Sequence, residues 1–579
     1  MNIDNNKLFV TVGVTGHSDI IASEESSIVT RFVRLVDKLR EDYPNLNIRI
    51  LTGLAEGADQ LIAKLAIRLS NAGCPIQPVA ILPMPLAEYR SDFSADKLKD
   101  FDALVQVMVD NDCPIVELSF EQERNHCYVN LGRYLINKSD ILVSIWNGVL
   151  NADEGGTSYV TQACLDPLRR IVDARGNVQG VGNEFRLNNY LYDSSSICVY
   201  KIDANRDSMP LNKIDSLHCG YIDSVTGDLN NLEPDLPKTS NDYFEYLNGL
   251  SKSLEDISES ELSKVYPLVP EVDQELYFSE TRDLVNIFSS FRCFDALANK
   301  LQSKTKSLSR MATLLTLVLT VVFLAYENTI QHPFVLISYV LLFGGSYIWY
   351  KIKNPNEIKA QYTVCRAISE SLRVEFFWCA RGIIGEVGDG SLAKKIQGKG
   401  IVEAGVISSV LRQMSFLGRK KGSDIEVNEV LKNWIENQSF FYKGRIEYLK
   451  KIKWSLDIGE KICVAIPVVI IVSYLTSIYV GFHFIDSDWD SRLVFYASGI
   501  FPVIAITMKL YAQSESIDEI FFQYSATNDY LIRLINLINN TDDKDMVTLG
   551  FEVAGVELSS EHMVWVETVR SKQIGMPEG

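Results

Sequence analysis

Two kinds of apolar pattern divide the chain. Over the first 200 residues, short uninterrupted apolar runs alternate with stretches whose apolar residues recur every three or four positions. The runs at 9–14, 48–51, 79–82, 115–118, 141–145 and 197–200 are expected strands. Continuous apolarity means that a strand is covered on both faces, as in a parallel sheet. The segments between them are expected helices: in 24–40, Ile28, Phe32, Leu35, Val36 and Leu39 share one face. The alternation predicts an α/β, doubly wound parallel sheet, in which ligands sit beyond the carboxyl ends of the strands.

Farther along, the apolar runs lengthen. The stretches 311–326, 334–350, 462–480 and 493–510 carry no charge before their ends. Each is about as long as a bilayer core requires, so two helical hairpins with four spans are expected. Lys304, Lys306 and Arg310 precede the first span, and Lys351, Lys353 and Lys359 follow the second. Lys443 to Lys461 contribute six cations ahead of the third, and Lys509 ends the fourth, whereas the turns 327–333 and 481–491 hold no Lys or Arg. The positive-inside rule then places both termini and the central segment in the cytoplasm of a multi-pass protein.

These patterns partition the chain into a sheet domain (1–205), a linker or insertion (206–265) and a helix leading into the first hairpin (266–350). A cytosolic helical segment (351–459), a second hairpin (460–512) and a helical tail (513–579) follow. The linker is acidic and rich in Asn, Ser and Asp, with Pro234 and Pro237. The segment 176–182, GNVQGVG, echoes a dinucleotide fingerprint but leads into no suitable helix and is read as a surface loop.

Composition narrows the chemistry. A formal charge of −18 and a pI near 5.0 argue against a nucleic-acid partner, which needs a basic face. Ten cysteines without a CxxC pair and six dispersed histidines offer no framework for a metal or for disulfides, so no metal and no obligatory cofactor are expected. Residues 1–8 are polar, so no signal peptide is expected.

Candidate binding residues cluster at the expected strand ends. They are Thr15, Gly16 and His17 after the first strand; Gly53, Leu54, Ala55, Glu56 and Gly57 after the second; and Pro83 after the third. Asn147 and Gly148 follow the fifth strand, and Gly155, Gly156 and Thr157 open the next helix. Glycines let backbone N–H groups approach an anion, and a helix N-terminus favours negative charge, so a phosphate-bearing ligand is expected. No GxxxxGK[ST] loop is present, and ATP-driven work is not indicated. His17 is read equally well as a loop hydrogen-bonding side chain. Glu88 and Asp92 are either an acid pair or an exposed helix start.

The motifs GVTGH, TGLAEGADQLIAKLA, LPMPLAEYRSDF and SDILVSIWNG with EGGTSYVTQA, across residues 7–203, resemble the SLOG superfamily. This is the Rossmann-like fold shared by DprA, the cytokinin-activating LOG enzymes and the cytosolic part of TRPM channels. The resemblance implies a nucleotide or nucleotide-derived ligand and adds Arg124 to the candidate contacts. It also implies what is missing. LOG hydrolases carry a glutamate after GGxGT, whereas Val160 lies in the corresponding stretch here. Glu56 stands where DprA-like proteins tend to be basic. Binding without catalysis is therefore expected, and no catalytic residue is assigned.

Residues 428–545 resemble the SLATT family, with Trp434, Gln438 and Tyr442 forming its W-x-x-x-Q-x-x-x-Y helix. The spacing puts the three on one helix face, read as a surface for helix association. Taken together, the resemblances imply a bacterial inner-membrane effector. It would sense a nucleotide second messenger (a cyclic nucleotide or an NAD or ADP-ribose derivative) made by a separately encoded enzyme. A homo-oligomer that permeabilises the bilayer in antiphage defence is implied. Two rival readings stay open: a membrane-tethered nucleotide or NAD hydrolase using Glu56, Glu88, Asp92 or Glu154, and a constitutive channel or scaffold.

Overall fold

The computed structural model describes residues 7–118, 123–165, 170–172, 175, 178–181, 198–205, 238–279, 282–328, 332–383, 401–414, 425–480 and 488–571. The chain forms two compact units. The first takes in residues 1–259, 278–293 and 384–423; the second takes in 260–277, 294–383 and 424–579.

The first unit is built on a six-stranded sheet. Strands β1 (Phe9–Gly16), β2 (Asn47–Thr52), β3 (Ile76–Leu82), β4 (Ile115–Glu117), β5 (Ile141–Trp146) and β6 (Cys198–Asp203) lie in the order β4-β3-β2-β1-β5-β6, every pair parallel. The apolar runs in the sequence are thus strands: four are longer than expected, the run at 115–118 is one residue shorter and the run at 197–200 is shifted to Cys198–Asp203. Both faces are covered, because alternate residues of β3 enter different cores. Val79 and Ile81 join Leu51, Leu135 and Tyr159, while Ala80 and Leu82 join Ile67, Phe101 and Met108. Helix Glu25–Asp42 buries Ile28, Phe32, Leu35, Val36 and Leu39, the face its periodicity indicates. The strand order changes direction at β1, so the loops leaving β1 and β5 part there.

Two features of this unit depart from the local pattern. Val178–Val181, within the segment read as a surface loop, pairs antiparallel with Arg170–Val172 in a small ribbon. The acidic stretch read as a linker contains the helix Lys238–Glu255, which buries Tyr243, Phe244, Leu247, Leu250 and Leu254; residues 206–237 lie outside the described residues. These apolar residues recur at helical spacing among Asn, Ser and Glu, which hides them from a compositional reading.

The helix Ile401–Met414, from the segment between the hairpins, also belongs to this unit. Its anchor is Asp140, a 2% exposed carboxylate just before β5. The Thr11 N–H donates to it at 2.9 Å, the Tyr243 hydroxyl at 2.9 Å and the Ser409 hydroxyl at 3.0 Å, and the buried Arg412 guanidinium lies at 3.3 Å. Beside it the Gln413 carboxamide accepts from Phe9 N–H at 3.0 Å and donates to the Phe9 carbonyl at 2.6 Å.

The second unit is helical. Helix Pro333–Lys353 ends at Asn354, whose φ of 39° is left-handed, and Pro355 opens the helix Pro355–Ala380. Helix Asn437–Val480 continues through Pro467 and packs against Asp488–Ser514 and Ile517–Asn539. Helix Pro355–Ala380 packs along Lys544–Ser571. There Gly555 leaves room for the Trp378 indole, and Trp378 Nε1–H donates to the Phe551 carbonyl at 3.0 Å. A Cβ on Gly555 would stand 2.4 Å from the indole ring.

Three helical segments, Leu284–Tyr326, Pro333–Ala380 and Val427–Thr476, are long and apolar enough to cross a membrane. The protein itself buries only 11%, 6% and 11% of their apolar windows, so those faces need an apolar solvent. The stretch 493–510 lies in helix Asp488–Ser514 but is not among these three, and several of its side chains fall outside the described residues.

Two substitutions test this packing. Asp140→Ala breaks the buried ion pair with Arg412 and removes the shared acceptor of the Thr11 N–H and the Tyr243 and Ser409 hydroxyls, and is expected to cost about 3–5 kcal/mol. It should appear as a lowered unfolding midpoint and faster proteolysis near 401–414. Gly555→Leu forces Trp378 out of its seat and is expected to cost about 3 kcal/mol or more by overpacking. Thermal unfolding in detergent checks it, and an unchanged midpoint would refute the close approach.

Candidate functional site

The candidate residues converge on the carboxyl edge of the sheet, because β1, β2 and β5 are neighbours and parallel. Thr15 and Gly16 end β1 in register with Ser144 and Ile145. His17 follows, tied to both strands: its N–H donates to the Ile145 carbonyl at 3.0 Å, and its Nε2 accepts from Asn147 N–H at 3.2 Å. His17 and Asn147 are both buried, so they brace the parting of the two loops.

The loop after β2 is shaped by steric necessity. Leu54 is buried with φ of 54°, and Gly57, with φ of 80°, precedes helix Ala58–Asn71. A Cβ on Gly57 would meet the carbonyl oxygens of His17 and Ser18 at 2.5 Å, so only glycine fits. The Ala58 N–H donates to the His17 carbonyl at 3.1 Å, joining this loop to the one after β1.

Asp59, a residue that the motif reading passed over, organises this nest. It is 6% exposed, and the Gly53 N–H donates to its Oδ2 at 3.2 Å; the backbone amides of Ala55 and Gly16 also favour its charge. Burial pushes its pKa up to about 7, against the pull of those amides. Glycine amides expected to face a ligand anion are thus turned onto a carboxylate of the protein. The signal was present in the sequence as an acid two residues after Gly57, in the first turn of a helix.

Other candidates are positioned by neighbours. Glu56 forms a half-exposed ion pair with Lys97 at 2.6 Å. Pro83 is buried behind the loop, and the Tyr89 hydroxyl donates to the Gly53 carbonyl at 3.2 Å. Arg124 is held by the turn opposite: its guanidinium donates to Asp92 Oδ1 at 2.8 Å, to the Glu88 carbonyl at 2.8 Å and to the Ser91 hydroxyl at 2.6 Å. Tyr128 O–H donates to the other Asp92 oxygen at 2.5 Å. Asp92 is thereby an anchor for Arg124 and Tyr128.

On the β5 side, Gly148 has φ of 77° and stands against the Lys201 ammonium, which pairs with Asp203 at 2.8 Å. Gly155, with φ of 75°, lies against the Tyr128 backbone, where a Cβ would be 3.0 Å from its carbonyl carbon. The Gly156 N–H donates to the Asp153 carbonyl at 3.0 Å, and Thr157 opens helix Thr157–Leu165. Thr161 Oγ1–H donates to the Thr157 carbonyl at 2.7 Å and lies 2.6 Å from the Ser144 hydroxyl, fastening that helix to β5. Lys97, Tyr128 and Lys201 are further site neighbours whose local sequence carries no motif.

No family model matches the chain, and a search of curated proteins finds no match.

The buried Asp59 makes a signed prediction. Its folded pKa of about 7 lies above the ordinary 3.8, so its contribution to stability is fully present below pH 3.8 and is lost as pH rises through 7. Wild type should therefore lose on the order of 4 kcal/mol relative to Asp59→Asn across that window. Thermal midpoints of both proteins from pH 4 to 8 measure it; parallel curves would rule out a buried titrating carboxyl at this position.

Proposed function

We propose that the chain is a ligand-gated membrane effector. In this reading the crevice at the carboxyl ends of β1, β2 and β5 binds a phosphate-bearing, nucleotide-derived signal, a cyclic nucleotide or an NAD or ADP-ribose derivative, supplied by a separate enzyme. Binding gates or assembles a homo-oligomer of four-span subunits that permeabilises a bacterial inner membrane, with both termini cytoplasmic, as an antiphage response. The observation that carries the reading is the convergence of three glycine-marked loops at the edge where the strand order turns, in a chain whose helices are long and apolar enough to cross a bilayer. The ligand need only bind the open arrangement more tightly than the closed one.

The reading takes the crevice as a binding site without turnover. Its support is that Asp92 is committed to Arg124 and Tyr128 and that Glu56 is paired with Lys97, which leaves neither carboxylate poised as a free base.

The test uses the full chain in proteoliposomes loaded with a fluorescent dye and challenged with cyclic dinucleotides, cyclic ADP-ribose, ADP-ribose and NAD. One of these is expected to trigger release. Gly156→Arg, which places a long side chain at the mouth of the crevice, should abolish that release while changing the unfolding free energy by no more than about 1 kcal/mol. Release that needs no ligand and survives Gly156→Arg would make the protein a constitutive pore. Consumption of the added nucleotide, lost in Glu56→Gln, would make it a hydrolase.

A further inference from the structure

We infer that the helical unit carries its own binding site, for a soluble phosphate-bearing ligand of mononucleotide size with a planar ring, in the cavity beside the start of helix Asn437–Val480. The cavity measures about 510 Å³, within the range of small-molecule sites. Its lining holds four cations, Lys264, Arg366, Arg373 and Arg445, against the single carboxylate of Asp295.

These cations differ in what already neutralises them. Arg366 pairs with Asp295 at 2.5 Å and with Glu370 at 3.1 Å, and Arg373 pairs with Glu370. Arg445 and Lys264 form no ion pair with any described residue. Arg445 Nε is buried without a hydrogen-bond acceptor among the described residues, and its guanidinium lies 5.5 Å from the Tyr448 ring centre. An unpaired guanidinium facing a cavity is stabilised by an anion that enters it, and a phosphate matches its donor geometry.

A second, independent observation comes from Gln438. Its side chain lines the cavity, is 8% exposed and has no hydrogen-bond partner among the described residues. Its amide group opens on the cavity, so it offers a donor and an acceptor to whatever occupies that space. Gln438 lies two residues beyond a π-helical turn at Leu431–Glu436, a distortion that recurs at functional sites. Trp434 and Tyr442, its neighbours on the same face, are instead packed. Trp434 stacks on Phe377 and Phe551, and the Tyr442 hydroxyl donates to Glu561 at 3.0 Å. The three-residue stripe read as one association surface therefore has two packing members and one that faces a cavity.

The rim adds planar apolar surface. Tyr266 and Phe440 are 73% and 78% exposed beside the cationic lining, an arrangement suited to stacking a base over a phosphate site. Position argues for a soluble ligand: Arg445 precedes the apolar stretch that starts at 462 by roughly 17 residues of the same helix, about 25 Å along its axis and beyond a headgroup's reach.

The experiment uses the full chain in phosphatidylcholine nanodiscs, with Gly156→Arg closing the sheet crevice, and titrates AMP and inorganic phosphate by calorimetry. Saturable AMP binding is expected in this background. Arg445→Gln should weaken AMP and phosphate about tenfold or more. Phe440→Ala, at an exposed position that does not support the fold, should weaken AMP about tenfold and leave phosphate unchanged. No AMP binding, or binding indifferent to both substitutions, overturns the site. Displacement of AMP by phosphatidylglycerol in the discs would assign the cations to a lipid headgroup and overturn the soluble ligand.

Discussion

A carboxylate buried at the foot of β5 has to be neutralised, and the way the chain meets that demand shapes the first unit. Asp140 draws its donors from Thr11, Tyr243, Ser409 and Arg412, four points spread over some 400 residues of sequence. Breaking one side of such an arrangement leaves an uncompensated charge in a low-dielectric interior, so the pieces stay together. The segment that leaves the apolar hairpins and returns to the sheet is held by this contact and by the Gln413 carboxamide, which continues the hydrogen-bonding of β1 at Phe9. Strand β5, which Asp140 precedes, ends at Trp146, next to Asn147, which braces the crevice. One rigid element thus carries the anchor at one end and the candidate site at the other.

The crevice follows a related economy. Glycines at positions 16 and 57 are required because the loops after β1 and β2 touch: a side chain at Gly16 would strike Ala58 and one at Gly57 the His17 carbonyl, while at Gly53 a Cβ would crowd Leu131 and the Asp59 carboxylate. The backbone amides freed by that tight turn find an acceptor in Asp59. A motif that resembles an anion cradle therefore contains its own anion. What remains open to a ligand in the proposed function is the outer margin of the loops, where Glu56, Lys97 and the turn at Gly155-Gly156-Thr157 lie.

In the helical unit, aromatic stacking and buried charge divide the work. Trp434 between Phe377 and Phe551, and Trp378 seated on Gly555, lock the helices sterically. Behind them, His562 sits between Glu370 and Glu561; burial alone would lower its pKa, but the two carboxylates raise it to about 10, so it stays charged. The charge network consumes Glu370 and Asp295 and leaves Arg445 without a carboxylate among the described residues, which is the imbalance that the proposed second site would relieve.

Much of this was present in the local pattern. Uninterrupted apolar runs marked the strands, because a strand covered on both faces cannot tolerate alternation; periodic apolar residues marked helix Glu25–Asp42 and its buried face. Three of the four uncharged runs of bilayer length marked helices that need an apolar solvent, and glycine clusters marked the loops at the sheet's edge. Those features depend on neighbours a few residues away. Membership of helix Ile401–Met414 in the sheet unit, the internal role of Asp59, the commitment of Arg124 to Asp92 and the exposure of Gln438 to a cavity depend on partners tens to hundreds of residues distant. Only the tertiary structure decided them, because a buried charge or carboxamide is satisfied by whatever the fold brings within about 3 Å, and that choice leaves no local trace.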